Sequence, residues 1–225
     1  MVKDKRTARA GALTAQDWID AAGRAIVEGG IAAVAVEPLA LRLGVTKGSF
    51  YWHFPNRAAL LQAALDRWEK ENTEAVIAEV DRIPDPRQRL ERLLVEAFTD
   101  PAEADGAAAL EFVLSHAFDL AVADAADDPI VQPIFRRVSD RRVEYVEECY
   151  RSLGLAPEAA RHRALLAYAA YVGTLRLARE ALSHMPRGEE YGAYQRHLIA
   201  TLIPDDLTGL MEGSQPLPSR SEAHE

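Results

Sequence analysis

Apolar residues recur every three to four positions along nearly the whole 225-residue chain, and most such runs stop at a glycine or a proline. That spacing places them on one face of an α-helix, whereas the period-two alternation of a half-buried strand is almost absent outside positions 31–36. The expected fold class is therefore all-α, with about nine helices. Thr14 followed by Asp17 has the form of a capping box, and Trp18, Ala22, Ala25 and Ile26 share a face until Gly29-Gly30 ends the first helix. A second segment, 36–43, places Leu39, Ala40 and Leu43 on one side and stops at Gly44; Pro38 fits only in its first turn. A third runs from Thr46 to about Trp52. Pro55 breaks the chain, and Asn56 is placed to cap a fourth helix reaching about residue 83, with Leu60, Leu61, Ala64, Leu65 and Trp68 as its buried face. Further helices are expected at about 87–98, 107–122, 130–153, 157–183 and 189–203, divided by Pro101, Pro129, Gly154, Pro157 and Pro186. Residues 1–13 read as a flexible basic arm. Residues 204–225, rich in Pro, Ser and Gly without apolar period, read as a disordered tail.

The charge is unevenly spread. The whole chain carries a formal −9, yet residues 1–57 hold eight Lys and Arg against five Asp and Glu, a net of +3, which leaves −12 for the rest. A polyanionic partner therefore suits only the first part of the chain. The run Lys3, Lys5, Arg6, Arg9 is a solvated arm by default, and contact with nucleic acid is open to it. The single cysteine, Cys149, can form no intrachain disulfide, and no run of about 18 apolar residues is present to span a membrane. A cytoplasmic location without membrane association is expected.

The most informative stretch is LRLGVTKGSFYWHFPNRAALL, residues Leu41 to Leu61. A helix-turn-helix needs a tight turn between two short helices. Gly44 can take the left-handed backbone this demands, Val45 plugs the apolar gap, and Thr46 can cap the second helix, whose free N–H groups attract phosphate. Phe50 and Phe54, four apart, belong on the buried face. The other face keeps Lys47 for phosphate or guanine, Gly48 for close approach of the backbone, and Ser49, Tyr51 and His53 for hydrogen bonds. Plainer roles compete: Trp52 can pack against the first helix, and His53 can bond a backbone carbonyl.

The segment GVTKGSFYWHF resembles the signature of the TetR family of transcriptional regulators, and the likeness extends from about Thr14 through Leu65. By position, the resemblance implies DNA contacts at Thr46, Lys47, Gly48, Ser49, Tyr51, Trp52 and His53, with Arg57 matching a basic phosphate contact. Ala35 departs from the Ser or Thr that usually caps the second helix, and Pro38 is uncommon there; neither touches the recognition helix. The resemblance further implies a helix-turn-helix DNA-binding domain at 14–56 and a larger helical effector-binding and dimerisation domain at 57–203. The implied partners are double-stranded operator DNA, a small-molecule effector and a second copy of the chain. The implied action is repression relieved when the effector binds.

In the larger part the sequence is less specific. Trp68, Phe112, His116, Tyr145, Cys149, Tyr168, Tyr171 and Arg176 are polar or aromatic groups in apolar surroundings and are candidate effector contacts, though most also fit an ordinary core. His116 among Phe112, Val113 and Leu120 suits a satisfied core histidine. Arg176 needs a partner, either an acidic effector or an internal carboxylate. Ala164, Ala167, Ala170 and Thr174 permit close helix approach across a dimer or within the chain. The six histidines show no ligand spacing for a metal, and no nucleophile with a base, phosphate-cradling glycine loop or dinucleotide fingerprint is present, so neither cofactor nor enzymatic activity is expected. A helical binding protein indifferent to DNA and a small all-α enzyme are the alternatives. The set Lys47, Gly48, Tyr51 and His53 weighs against the first, and the missing nucleophile–base pair against the second.

Overall fold

A computed structural model describes residues 13–99, 106–180 and 185–203, with residues 106–112 described by their backbone alone. The expected arm and tail, and Phe112 as a candidate side chain, lie outside the described residues. Helices α1 (Ala15–Gly29), α2 (Val36–Leu43), α3 (Lys47–Phe50), α4 (Arg57–Glu69), α5 (Ala75–Val80), α6 (Pro86–Ala97), α7 (Gly106–Asp124), α8 (Val131–Ser152), α9 (Pro157–Arg179) and α10 (Glu189–Leu202) follow one another with no strand among the described residues. Helices α4 and α5 form one rod, joined by a π-helical turn at Lys70–Glu74. The described residues thus form nine helical rods, and positions 31–36 hold a short 3₁₀ turn rather than a strand.

The caps explain where the first helices begin and end. The Thr14 hydroxyl accepts from the Asp17 N–H while the Asp17 carboxylate accepts from the Thr14 N–H at 2.7 Å, and these bonds to Thr14 hold the Asp17 carboxyl below its ordinary pKa. Gly44 has φ +70° and ψ +28°, the left-handed conformation that closes α2 and admits the tight turn into α3. Asn56 accepts from the Ala59 N–H at 2.9 Å and starts α4. The caps of α2 and α3 differ from these. Ala35 offers no side-chain bond, and Thr46 stands at the N-cap of α3 without its hydroxyl taking the cap bond. Regular α3 also ends at Phe50, earlier than expected; the chain continues to Phe54 in turns, with the His53 and Phe54 N–H groups donating to the Phe50 carbonyl.

Two apolar clusters fill the molecule. The first runs from α1 through α2, α3 and α4 into α7 and the first half of α8, with Trp18, Phe50, Leu61, Trp68, Phe118 and Ile134 among its members. The second joins α5, α6, the second half of α8, α9 and α10 through Ile77, Leu90, Phe98, Tyr150, Ala164 and Leu202. Ala160, Ala164 and Ala167 are buried within the chain in that second cluster, so close packing of α9 against its own neighbours uses them. Among the described residues, no helix is long and apolar enough to cross a membrane.

Candidate DNA-binding face and ligand cavity

Phe50 fixes the short helix α3. Its ring is fully buried, 5.2 Å edge-on from Trp18 of α1, 5.2 Å from Tyr51 and 5.9 Å from Phe54, so four aromatic rings pin a four-residue helix that could not persist alone. With Phe50 and Phe54 inside, the opposite face turns outward. Trp52 is 89% exposed and Tyr51 is 54% exposed, which leaves Trp52 unavailable to α1 and free for a partner. Thr46, Lys47 and Gly48 are also exposed, and Ser49 and His53 are half-buried. A Cβ at Gly48 would meet only the Thr46 hydroxyl at 3.6 Å, so glycine here is not demanded by the protein's own packing. Lys47 donates to Glu37 of α2 at 2.7 Å, and this bond raises the lysine's pKa while lowering that of Glu37.

Arg57 lies apart from this face. Its guanidinium is turned inward, donating from Nε to the Val34 carbonyl at 2.6 Å and from Nη2 to the Ile31 carbonyl at 2.8 Å. It ties the first turn of α4 to the segment between α1 and α2.

Among the candidate effector residues, Trp68 and Tyr171 come together around a group that sequence reasoning missed, Asp119, and the His116 ring lies 5.8 Å from that of Tyr171. This buried carboxylate accepts from Trp68 Nε1 at 2.6 Å, from Tyr171 Oη at 2.5 Å and from Arg142 Nη1 at 2.7 Å. Arg142 also donates to the Thr73 hydroxyl at 2.9 Å and the Asn72 carbonyl at 3.2 Å within the π turn, and lies 5.4 Å from the Trp68 ring centroid. Burial works against the charge of Arg142, but Asp119 outweighs it and holds its pKa above the ordinary arginine value. Burial, and then Asp119, keep Tyr171 protonated well above the usual tyrosine range. Tyr168 adjoins this cluster, 6.3 Å from the Tyr171 ring, and shares a 2.8 Å hydrogen bond with Ser139. The space left beside it, about 20 Å³, takes a water and nothing larger.

The other candidates are dispersed. Arg176 is on the surface, paired with Asp124 at 2.6 Å and Glu180 at 2.8 Å, which answers its need for a partner without a ligand. Tyr145 and Cys149 belong to the second cluster, where the Tyr145 hydroxyl donates to Asp81 at 2.6 Å. Burial pushes the Cys149 thiol up to about 11 and the Tyr150 hydroxyl up to about 12. The native chain therefore keeps protons there that the unfolded chain releases near its unperturbed values of about 8.5 and 10. Their stabilising contribution is complete below those values and is lost as pH rises through about 11 and 12. The urea midpoint should fall progressively above pH about 9, and a thiol reagent at pH about 8 should modify Cys149 only in denaturant. Rapid modification of the native chain would contradict this placement.

The roomy site lies elsewhere. A cavity of about 1090 Å³ opens between the carboxyl end of α1, the end of α6, α7, α9 and the start of α10. Its apolar wall includes Ile26, Ile31, Val113, Leu120 and Leu175, and of the described effector and DNA-contact candidates only His116 and Arg57 line it. Because the end of α1 and Arg57 are part of its wall, the cavity borders the N-terminal helices that carry α2 and α3. No cluster of His, Cys, Asp and Glu suited to a metal ion occurs among the described residues.

Comparison with known proteins covers both regions. Residues 19–64, from α1 into α4, match the family model for bacterial regulatory proteins of the tetR family. The HTH-type transcriptional regulator TtgR of Pseudomonas putida is 34% identical over 97 residues, which cover 43% of this chain and 46% of that regulator. The chain is thus aligned with less than half the length of this relative. The crystal structure of a transcriptional regulator from Rhodococcus sp. Rha1 superposes with a TM-score of 0.67 at 21% identity, over 90% of this chain and all of that one. Residues 19–64 thus carry the N-terminal domain of the tetR family. AibR, crystallised with isovaleryl coenzyme A and operator DNA, shares the fold at a TM-score of 0.59 and 17% identity over 84% of this chain and 98% of its own. The stretch matched to the TetR-family model holds the exposed α3 face and Arg57, while most of the cavity wall falls outside it.

Proposed function

We propose that this chain is a sequence-specific DNA-binding transcriptional regulator, a cytoplasmic homodimer that represses from a palindromic operator and leaves it when a small molecule enters the cavity. The observation that carries this reading is the α3 face, where Lys47, Gly48, Tyr51 and Trp52 project from a scaffold that buries only Phe50 and Phe54. In this reading Lys47 exchanges Glu37 for phosphate or guanine, Tyr51 and His53 donate to the backbone, and Thr46, Gly48, Ser49 and Trp52 fill the major groove. AibR's operator complex supports the DNA partner by analogy of fold.

The dimer reading is supported by α9. Leu165 and Leu166 are 48% and 53% exposed, and Ala169, Gly173 and Leu177 continue the same helical face, with open space beyond the Gly173 Cα. A second copy seated there gives a two-fold pair of α3 helices, which must lie about 34–36 Å apart to enter successive major grooves. A ligand that changes this spacing couples to DNA by typically 1–3 kcal/mol, and operator must weaken ligand binding equally.

Selection of bound duplexes from random DNA, followed by titration at several salt concentrations, tests the reading. A recovered palindrome is expected, and Lys47→Ala combined with Tyr51→Ala should lower affinity for it roughly 10- to 100-fold with folding and oligomeric state unchanged. Undiminished affinity would remove α3 from the interface.

A further inference from the structure

Among the described residues, the cavity between α1, α7 and α9 is lined by three carboxylates and three guanidinium groups, and their pairing is uneven. Glu28 accepts from Arg42 at 3.1 Å, Asp124 accepts from Arg176 and Arg179 at 2.6 Å each, and Asp128 accepts the Ile130 and Val131 N–H groups at 2.8 and 3.3 Å. Every described carboxylate on the wall is therefore already answered. Of the guanidinium groups, Arg179 is committed to Asp124, and Arg187 is exposed. Arg57 differs from both. It is half-buried on the wall, its donors go to two backbone carbonyls, and no carboxylate reaches it among the described residues. Neutral carbonyls satisfy its N–H groups but leave its charge without a counter-ion in a partly desolvated place.

A carboxylate meeting that fork would form charge-assisted, bidentate hydrogen bonds, about twice as strong as those to neutral acceptors. The rest of the wall, with Ile26, Ile31, Val113, Leu120 and Leu175, asks for an apolar body, and about 1090 Å³ accommodates a drug-sized one. We infer that the cavity takes an amphipathic monoanion, an apolar molecule with one carboxylate, and that Arg57 receives the carboxylate. The inference rests on reading the cavity as the effector site. It also assigns the coupling: donors turned to the ligand are withdrawn from Ile31 and Val34, which frees the segment ahead of α2 from the first turn of α4.

The test is a calorimetric titration of the full-length chain, without DNA, by three probes of equal length used below their micellar range: dodecanoate, dodecyltrimethylammonium and dodecanol. Dodecanoate is expected to bind once per chain and about tenfold or more tightly than the other two. Arg57→Gln should abolish that preference, and Arg179→Gln should leave it within about twofold, since its charge is already spent on Asp124. Dodecanoate binding no tighter than the cation, or Arg57→Gln retaining the wild-type preference, would overturn the inference. If Arg57→Gln does not fold, Arg57→Lys replaces it: a retained but weakened anion preference supports the assignment, and an unchanged affinity overturns it, because lysine keeps the charge and loses the fork. The DNA titration of the ligand-free chain separates the two readings. Operator binding without anion preference overturns only the present inference, whereas selection of dodecanoate through Arg57 without DNA binding overturns the regulator and leaves the cavity's chemistry in place.

Discussion

Replacing Asp119 by alanine should lower the free energy of unfolding by about 3–5 kcal/mol, the cost of leaving a buried charge without its partner. Asp119 is the acceptor for Arg142, Trp68 and Tyr171 at once, so its loss strands a buried guanidinium, an indole N–H and a phenol in a space with room for a water at most. The deficit is one of unpaired polarity rather than lost volume. Removing both charges, as in Asp119→Leu with Arg142→Met, should therefore recover most of it, although either change alone is severe. Urea unfolding at fixed protein concentration checks this through the midpoint and slope. A loss below about 1 kcal/mol for Asp119→Ala would show that solvent replaces the carboxylate without penalty, and that the cluster does not hold α4, α7, α8 and α9 together.

Phe50→Ala should cost a similar 3–5 kcal/mol, for a different reason. The ring is completely buried between Trp18, Tyr51 and Phe54, and α3 has no other buried side chain to close the cavity that truncation opens. DNA affinity should fall further than in the Lys47 and Tyr51 variants, because the whole α3 face loses its support rather than two of its contacts. Phe50→Leu, which keeps most of the volume, should retain much of both. Thermal unfolding of the two variants, run beside DNA titrations, separates the outcomes; a Phe50→Ala protein that binds DNA like the wild type would mean the α3 face is organised elsewhere.

The helices themselves were legible because their evidence is local. Thr14, Gly44 and Asn56 act within one turn of where they stand, and the apolar period around Leu60, Leu61 and Trp68 needs no knowledge of the partner it packs against. The α3 face was legible for the same reason: burying Phe50 and Phe54 dictates what is left outside. The internal cluster was not. Asp119 stands alone in the apolar run around Phe118 and Leu120, and the reasoning that a charge in such a helix must find a partner, applied to Arg176, belonged to it instead. Nothing local distinguishes Arg142 from Arg136, Arg137 or Arg141 in the charged helix α8, because which arginine turns inward is decided by what α7 and the π turn present to it. Arg57 shows the converse case. Its place next to the recognition helix suggested phosphate, while the carbonyls of Ile31 and Val34, whose direction is invisible in a sequence, receive it inside.

The π turn has a further meaning once the two apolar clusters are set beside it. Along the α4–α5 rod, Trp68 belongs to the first cluster and Ile77 to the second; along α8, Val138 belongs to the first and Tyr145 to the second. Both rods change core at the same level, and Arg142 crosses between them there, bonded to Asn72 and Thr73 of the widened turn. The seam between the two apolar clusters therefore runs through the middle of two helices, not along the Pro55-Asn56 break where the motif ends. A polar rivet at such a seam ties the two halves together through directional bonds rather than apolar packing, so sliding one half over the other requires breaking bonds to Arg142.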